Sequence, residues 1–162
     1  MNGDEFDRLY DAHYMRVYSY VMTQTADPVL AEEIAQETFF RALRKADSFR
    51  GASDEVTWLC AIAKNLLTDE RRRRSRAAEM PAELPDRARG PEQAAIDGDT
   101  SFRIHMALHA LEEPYREVFG LRVFGELSFR QVGMIFGKTE AWARVTYHRA
   151  RLKLQERMET NS

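Results

Sequence analysis

The sequence predicts an all-α protein of two small helical domains joined by a flexible linker, the second containing a helix-turn-helix. Three observations carry this expectation. Apolar residues recur at spacings of three and four through most of the chain, and no stretch alternates in the manner of a strand. That periodicity lapses across residues 79–100, which hold Pro81, Pro85, Pro91 and two glycines and have the composition of a linker. Finally, residues 127–157 read as two helices around a tight turn, the second rich in arginine. The expected division is residues 1–78, linker 79–100 and residues 101–162.

The first helix is marked by Phe6, Leu9, Tyr10, His13, Tyr14, Val17 and Val21, an unbroken apolar stripe. Asp27-Pro28 opens the second, with Asp as cap and Pro at the first helical position. Its apolar face consists of two rows, Leu30, Ile34, Thr38, Ala42 and Ala31, Ala35, Phe39, Leu43. Glu32, Glu33, Gln36, Glu37, Arg41 and Arg44 lie away from that face. A loop of about Asp47 to Asp54, broken by Gly51 and small polar residues, follows. The third helix places Val56, Leu59, Cys60, Ala63, Leu66 and Leu67 together and runs into an arginine cluster, Arg71 to Arg74 and Arg76. Beyond the linker, Ile104, Leu108 and Leu111 share a face, and Pro114 opens a helix through Val118, Phe119 and Leu121.

The last two helices carry the most information. Ser128 and Gln131 stand in capping-box spacing. Phe129, Val132, Gly133 and Phe136 share a face. Gly137 suits a left-handed helix end, and Thr139 can cap the next helix. That helix buries Ala143, Tyr147, Ala150 and Leu154 and presents Arg144, Val145, His148, Arg149 and Arg151 on the other side. A recognition helix meets the major groove in this way. An antiparallel helix pair with a solvated basic face fits the same pattern, and both readings stay open on spacing alone.

The net charge of −2 hides an uneven distribution. Residues 79–100 contain six acidic and two basic residues, whereas residues 138–162 contain six basic and three acidic ones. Clustering sets the potential that a phosphate meets. Other classes find little support. No apolar run approaches the roughly 18 residues of a membrane span, and the acidic N-terminal stretch lacks a signal peptide's apolar segment. The single cysteine, Cys60, excludes an internal disulfide and a Cys-rich zinc site. His105 and His109 stand four apart but form no metalloprotease motif, so no metal is expected. There is no glycine-rich phosphate loop, nucleophile elbow or paired-carboxylate site, so neither enzymatic activity nor a cofactor is expected. The expected location is cytoplasmic.

Nearly the whole chain resembles a bacterial sigma factor of the extracytoplasmic-function (ECF) type, in the sigma-70 family. The resemblance rests on AEEIAQETFFRAL from Ala31 to Leu43, SFRG from Ser48 to Gly51, and WLCAIAKNLLTDERRR from Trp58 to Arg73. LSFRQVGMIFGKTE and YHRAR from Tyr147 to Arg151 complete it. It implies a protein that binds core RNA polymerase and directs promoter-specific initiation. The first domain would grip polymerase and read the minus-ten element, and the second would read the minus-thirty-five element. The acidic linker would thread toward the polymerase channel. An inhibitory anti-sigma factor is an implied partner, and the free chain is expected to be a monomer whose domains take several orientations. No further C-terminal regulatory domain is expected.

The resemblance also implies site residues. Arg144, Val145, His148 and Arg149 would face the major groove, where arginine pairs bidentately with guanine. Arg130, Lys138, Thr139 and Arg151 would hold phosphates. Ser48, Phe49, Arg50 and Gly51 match the loop that captures a flipped base, at a cost of a few kcal/mol of unstacking. Lys64 and Asn65 match the minus-ten readers, and Arg72 and Arg73 would track phosphates. Glu32, Glu33, Gln36, Glu37 and Arg41 match the surface that docks on polymerase. Family members often place Lys-Ser-Arg where Arg144, Val145 and Thr146 stand. Valine can touch a thymine methyl but cannot donate a hydrogen bond, so the departure bears on promoter sequence. A stand-alone helix-turn-helix regulator is the alternative function. It would need a dimer and a palindromic site, and it leaves the first domain's matches unexplained.

Overall fold

The computed structural model describes residues 2–46, 49, 54–78 and 99–160. Seven helices and no strand occur among the described residues: α1 (Gly3–Thr25), α2 (Pro28–Arg44), α3 (Glu55–Ala78), α4 (Asp99–His109), α5 (Tyr115–Val123), α6 (Phe129–Phe136) and α7 (Glu140–Thr160). The all-α expectation holds. The expected linker lies mostly outside the described residues, and its last two positions, Asp99 and Thr100, already belong to α4.

Helix ends follow the local chemistry. Asp27 accepts from the backbone N–H groups of Val29 and Leu30 at 3.1 and 3.3 Å, and Pro28 occupies the first turn, where its missing donor costs nothing. Asn2 and Glu5 form a reciprocal capping box on α1. An N-cap of this kind is worth about 1 kcal/mol.

Helices α1, α2 and α3 form the first body. Val17, Tyr20 and Val21 of α1 meet Ala31, Ala35 and Phe39 of α2, and Leu59, Cys60 and Ala63 of α3, all essentially buried. Two details differ from the sequence expectation. Tyr20 lies off the predicted stripe yet is fully buried, because a second layer covers that side of α1. Leu43 ends an apolar row but is 40% exposed, and nearby Phe40 is 50% exposed, whereas Phe39 and Ala42 beside them are buried.

The second body is α4 to α7. Leu108, Leu111, Phe119 and Ala150 make its own small cluster, with Phe119 stacked on Tyr147 at 5.8 Å. The two bodies are docked. Val118, Leu121, Leu127 and Val132 join the same apolar cluster as the α1–α3 core. Gly120 is the close-approach point: a Cβ there would sit 2.7 Å from Thr23 Oγ1 and 3.3 Å from Tyr20 Cδ1. Arg16 donates to the carbonyls of Gly125 and Glu126, each at 3.0 Å. Gln24 Nε2 donates to the Arg116 carbonyl at 3.2 Å. The domains expected to take several orientations therefore share a seam of apolar and polar contacts.

Candidate nucleic-acid interface

The turn between α6 and α7 follows the sequence closely. Ser128 Oγ accepts from the Gln131 N–H at 3.1 Å, and Gln131 Oε1 accepts from the Ser128 N–H at 2.7 Å. Gly137 adopts φ +66°, a left-handed conformation that costs glycine little. Thr139 Oγ1 accepts from the Trp142 N–H at 3.0 Å. Gly133 has a role that spacing alone did not disclose. A Cβ there would lie 2.8 Å from the carbonyl oxygens of both Lys138 and Thr139, so only glycine lets α6 lie this close to the turn.

Helix α7 is two-sided. Ala143, Thr146 and Ala150 are buried, with Tyr147 and Leu154 partly so. Arg144, Val145, His148, Arg149 and Arg151 are all exposed. Arg144 lies over the Phe129 ring at 5.1 Å and 3.5 Å from Glu140. That arrangement holds the guanidinium beside α6 while leaving it open to solvent. Arg130, Lys138 and Thr139 are exposed nearby in sequence, on α6 and the turn. The exposed residues of α7 thus include three arginines and a histidine, with Val145 among them.

In the first body, Ser48, Arg50 and Gly51 lie outside the described residues. Phe49 is described, stacked on Trp58 at 4.7 Å. At the loop's far end, Asp54 accepts from the Thr57 N–H at 2.9 Å and from the side-chain amide of Gln131. Burial opposes ionisation of Asp54, but the hydrogen bonds from Thr57 and Gln131 outweigh it and lower its carboxyl below the usual range.

On α3, Asn65 is exposed. Lys64 is not free: its ammonium lies 3.8 Å from Glu117 and 4.8 Å over the Phe136 ring. Arg71 Nη2 reaches Glu117 Oε1 at 2.8 Å and Glu113 at 3.8 Å. Arg72 and Arg73 are exposed, with Arg73 forked onto Glu70 at 2.6 and 3.1 Å. Those bonds draw the Glu70 carboxyl below its ordinary value. Burial pushes Glu113 up, and the neighbouring Glu117 adds to the effect. Nothing in the spacing of Glu113 and Glu117 signalled their pairing with α3, because the contact joins distant parts of the chain.

On α2, Glu32, Glu33 and Gln36 are exposed, with Glu37 and Arg41 partly so. Gln36 donates to Glu32 and Arg41 to Glu37, both at 3.2 Å. Phe40 adds an exposed ring to this polar face, under the Arg44 guanidinium at 5.3 Å. Among the described residues no group of three or more His, Cys, Asp or Glu side chains is placed to hold a metal. None of their helices is long and apolar enough to cross a membrane.

Residues 9–77 match the family profile Sigma-70 region 2, and residues 101–154 match Sigma-70, region 4. The RNA polymerase sigma factor YlaC of Bacillus subtilis is 31% identical, over 96% of this chain and 92% of YlaC. This chain belongs to the ECF sigma factors of the sigma-70 family. The RNA polymerase sigma factor CarQ of Myxococcus xanthus is 30% identical, over 94% of this chain and 88% of CarQ. The fold matches the sigma factor RpoE of Bartonella quintana, solved with the anti-sigma factor NepR. The TM-score is 0.80 at 22% identity, over 98% of this chain and 99% of that one. As an ECF sigma factor, the protein directs promoter-specific transcription initiation by RNA polymerase and is not an enzyme. The stand-alone regulator finds no support.

Proposed function

We propose that this sigma factor reads promoters through two faces. Arg144, Val145, His148 and Arg149 of α7 enter the major groove at the minus-thirty-five element, with Arg130, Lys138, Thr139 and Arg151 on flanking phosphates. Lys64 and Asn65, the Ser48–Gly51 loop, Arg72 and Arg73 handle the minus-ten element. Glu32, Glu33, Gln36, Glu37 and Arg41 dock on core polymerase. The observation that carries the reading is the two-sidedness of α7: small residues inward, and three cationic or imidazole donors around Val145 outward. Guanidinium groups suit guanine edges, and the valine suits a thymine methyl.

The functional division is residues 1–78, 79–100 and 101–162, the segment 79–100 acting as an acidic connector. The protein works in the cytoplasm and is monomeric when free. A protein inhibitor of the anti-sigma class restrains it, as NepR accompanies RpoE in the Bartonella structure.

Tethered cleavage tests the two-face reading. An iron chelate attached at a cysteine replacing His148, or one replacing Asn65, cuts DNA nearby in the polymerase–promoter complex. Cuts near minus thirty-five from the first and near minus ten from the second are expected. Cuts from position 148 at the downstream element would overturn it.

A further inference from the structure

We propose that Glu55, held in place by His13, is a specificity-determining residue of the minus-ten site: its carboxylate accepts from the exocyclic amino group of the extruded promoter base and turns thymine away. The inference rests on the reading of the Ser48–Gly51 loop as the segment that captures that base, and it adds the reading group and the class of base.

Beside Phe49 lies an open cleft of about 490 Å³, a volume in the range of ligand clefts. His13 and Arg16 of α1 line it with Phe49, Asp54, Glu55 and Val56, and Gln131 of α6 stands at its rim. Phe49 supplies an aromatic wall. Its ring is stacked on Trp58 at 4.7 Å, with 25° between the planes, and a ring held in this way offers a surface on which a base can stack.

The polar groups of the cleft are not equivalent. Asp54 is committed to the Thr57 N–H and the Gln131 side chain. Arg16 is committed to the carbonyls of Gly125 and Glu126. Glu55 differs. Its Oε2 lies 3.2 Å from His13 Nε2, and an ionised carboxylate only accepts, so the Nε2–H donates. The imidazole is 16% exposed, and its Nδ1 is buried with no hydrogen-bond partner among the described residues. A buried ring from α1 thus sets the direction of a carboxylate on the first turn of α3 that is itself 56% exposed. Glu55 Oε1 has no partner among the described residues. It is the acceptor that the cleft leaves open.

The chemistry of that acceptor selects bases. Adenine, cytosine and guanine each carry an amino group that can donate to it. Thymine carries carbonyl oxygens on both sides of its one ring N–H, and these repel a carboxylate. Glu55→Gln adds an amide N–H, which can donate to the thymine carbonyl.

Transcription by polymerase holoenzyme from a promoter library randomised across the minus-ten element, read by sequencing, gives the base preference at each position. With the wild type, one position should disfavour thymine about tenfold. Glu55→Gln should abolish that discrimination and leave the other positions unchanged. His13→Phe keeps an aromatic ring and removes the donor, so discrimination at the same position should fall. A purely structural role for His13 would lower transcription from all promoters alike and leave the profile unmoved.

No position disfavouring thymine in the wild type, or an unaltered profile in Glu55→Gln, overturns the proposal, as does a uniform loss at every position. Phe49→Ala separates this outcome from failure of the base-capture reading. Impaired promoter opening in Phe49→Ala leaves capture standing without Glu55 as its reader, and normal opening removes capture as well. Circular dichroism checks folding, and should His13→Phe lose helix, Glu55→Gln alone decides the outcome.

Discussion

Arg71 and Glu117, 46 residues apart in sequence, meet at 2.8 Å across the seam between the two bodies. The pair joins the arginine cluster at the end of α3 to the first turn of α5. Glu117 is buried and Arg71 is not, so the carboxylate depends on its partners for the solvation it has lost. Removing one partner of a buried pair costs more than the pair contributes to stability.

Gly133→Val should unfold the second body selectively. The new Cβ would meet two backbone carbonyls at 2.8 Å, and backbone cannot swing aside as a side-chain tip can. Overpacking of this kind costs about 1–3 kcal/mol. A lowered melting temperature with the α1–α3 amide signals preserved in NMR spectra is the expected result.

Arg149→Ala should weaken transcription from promoters with an intact upstream element and relax preference at one base pair. The loss should be about 1–3 kcal/mol for a bidentate contact. Run-off transcription from a panel of upstream-element variants measures it. A uniform loss across the panel would make Arg149 a phosphate contact.

Cys60 should be inert in the folded protein. Its thiol is fully buried, and burial pushes its pKa up to about 12, so the reactive thiolate is scarce at ordinary pH. An aromatic disulfide reagent should react at a rate set by unfolding, and urea should accelerate it. Rapid labelling of the native protein would contradict the burial.

Glu70 supplies a pH signature. Its bonds to Arg73 and Arg74 lower its folded pKa below 4.5. Its contribution to stability is complete above the unfolded value and is lost as pH falls through the folded one. Melts of wild type and Glu70→Gln between about pH 3 and pH 7 should differ by a constant amount at the upper end and converge at the lower.

The local chemistry of the chain was legible in its sequence. The Asp27-Pro28 start, the Ser128–Gln131 box, Gly137 and Thr139 all act within a few residues, where spacing fixes the contact. The family resemblance was legible for the same reason, since its motifs are short and ordered. What spacing did not disclose depends on long-range packing. Tyr20 falls outside the apolar stripe of the first helix, and part of what covers it, at Gly120, comes from a hundred positions later. Gly120 and Gly133 matter through backbones and side chains they touch only in the folded chain. Lys64 was read as a DNA contact, and in the docked form it is paired with Glu117. Ser48, Arg50 and Gly51 lie outside the described residues and keep the roles the resemblance implies as proposals.

Direction of polymerase by one chain through two separate reading faces is tested most directly by transcription of fragmented host genomic DNA with purified core polymerase, followed by sequencing of the 5′ ends. New start sites should appear only when the protein is added, and should share two spaced elements. Arg149→Ala should erode the upstream element in the aligned start sites, and Asn65→Ala the downstream one. No new start sites, or both variants eroding the same element, would contradict the two-face reading.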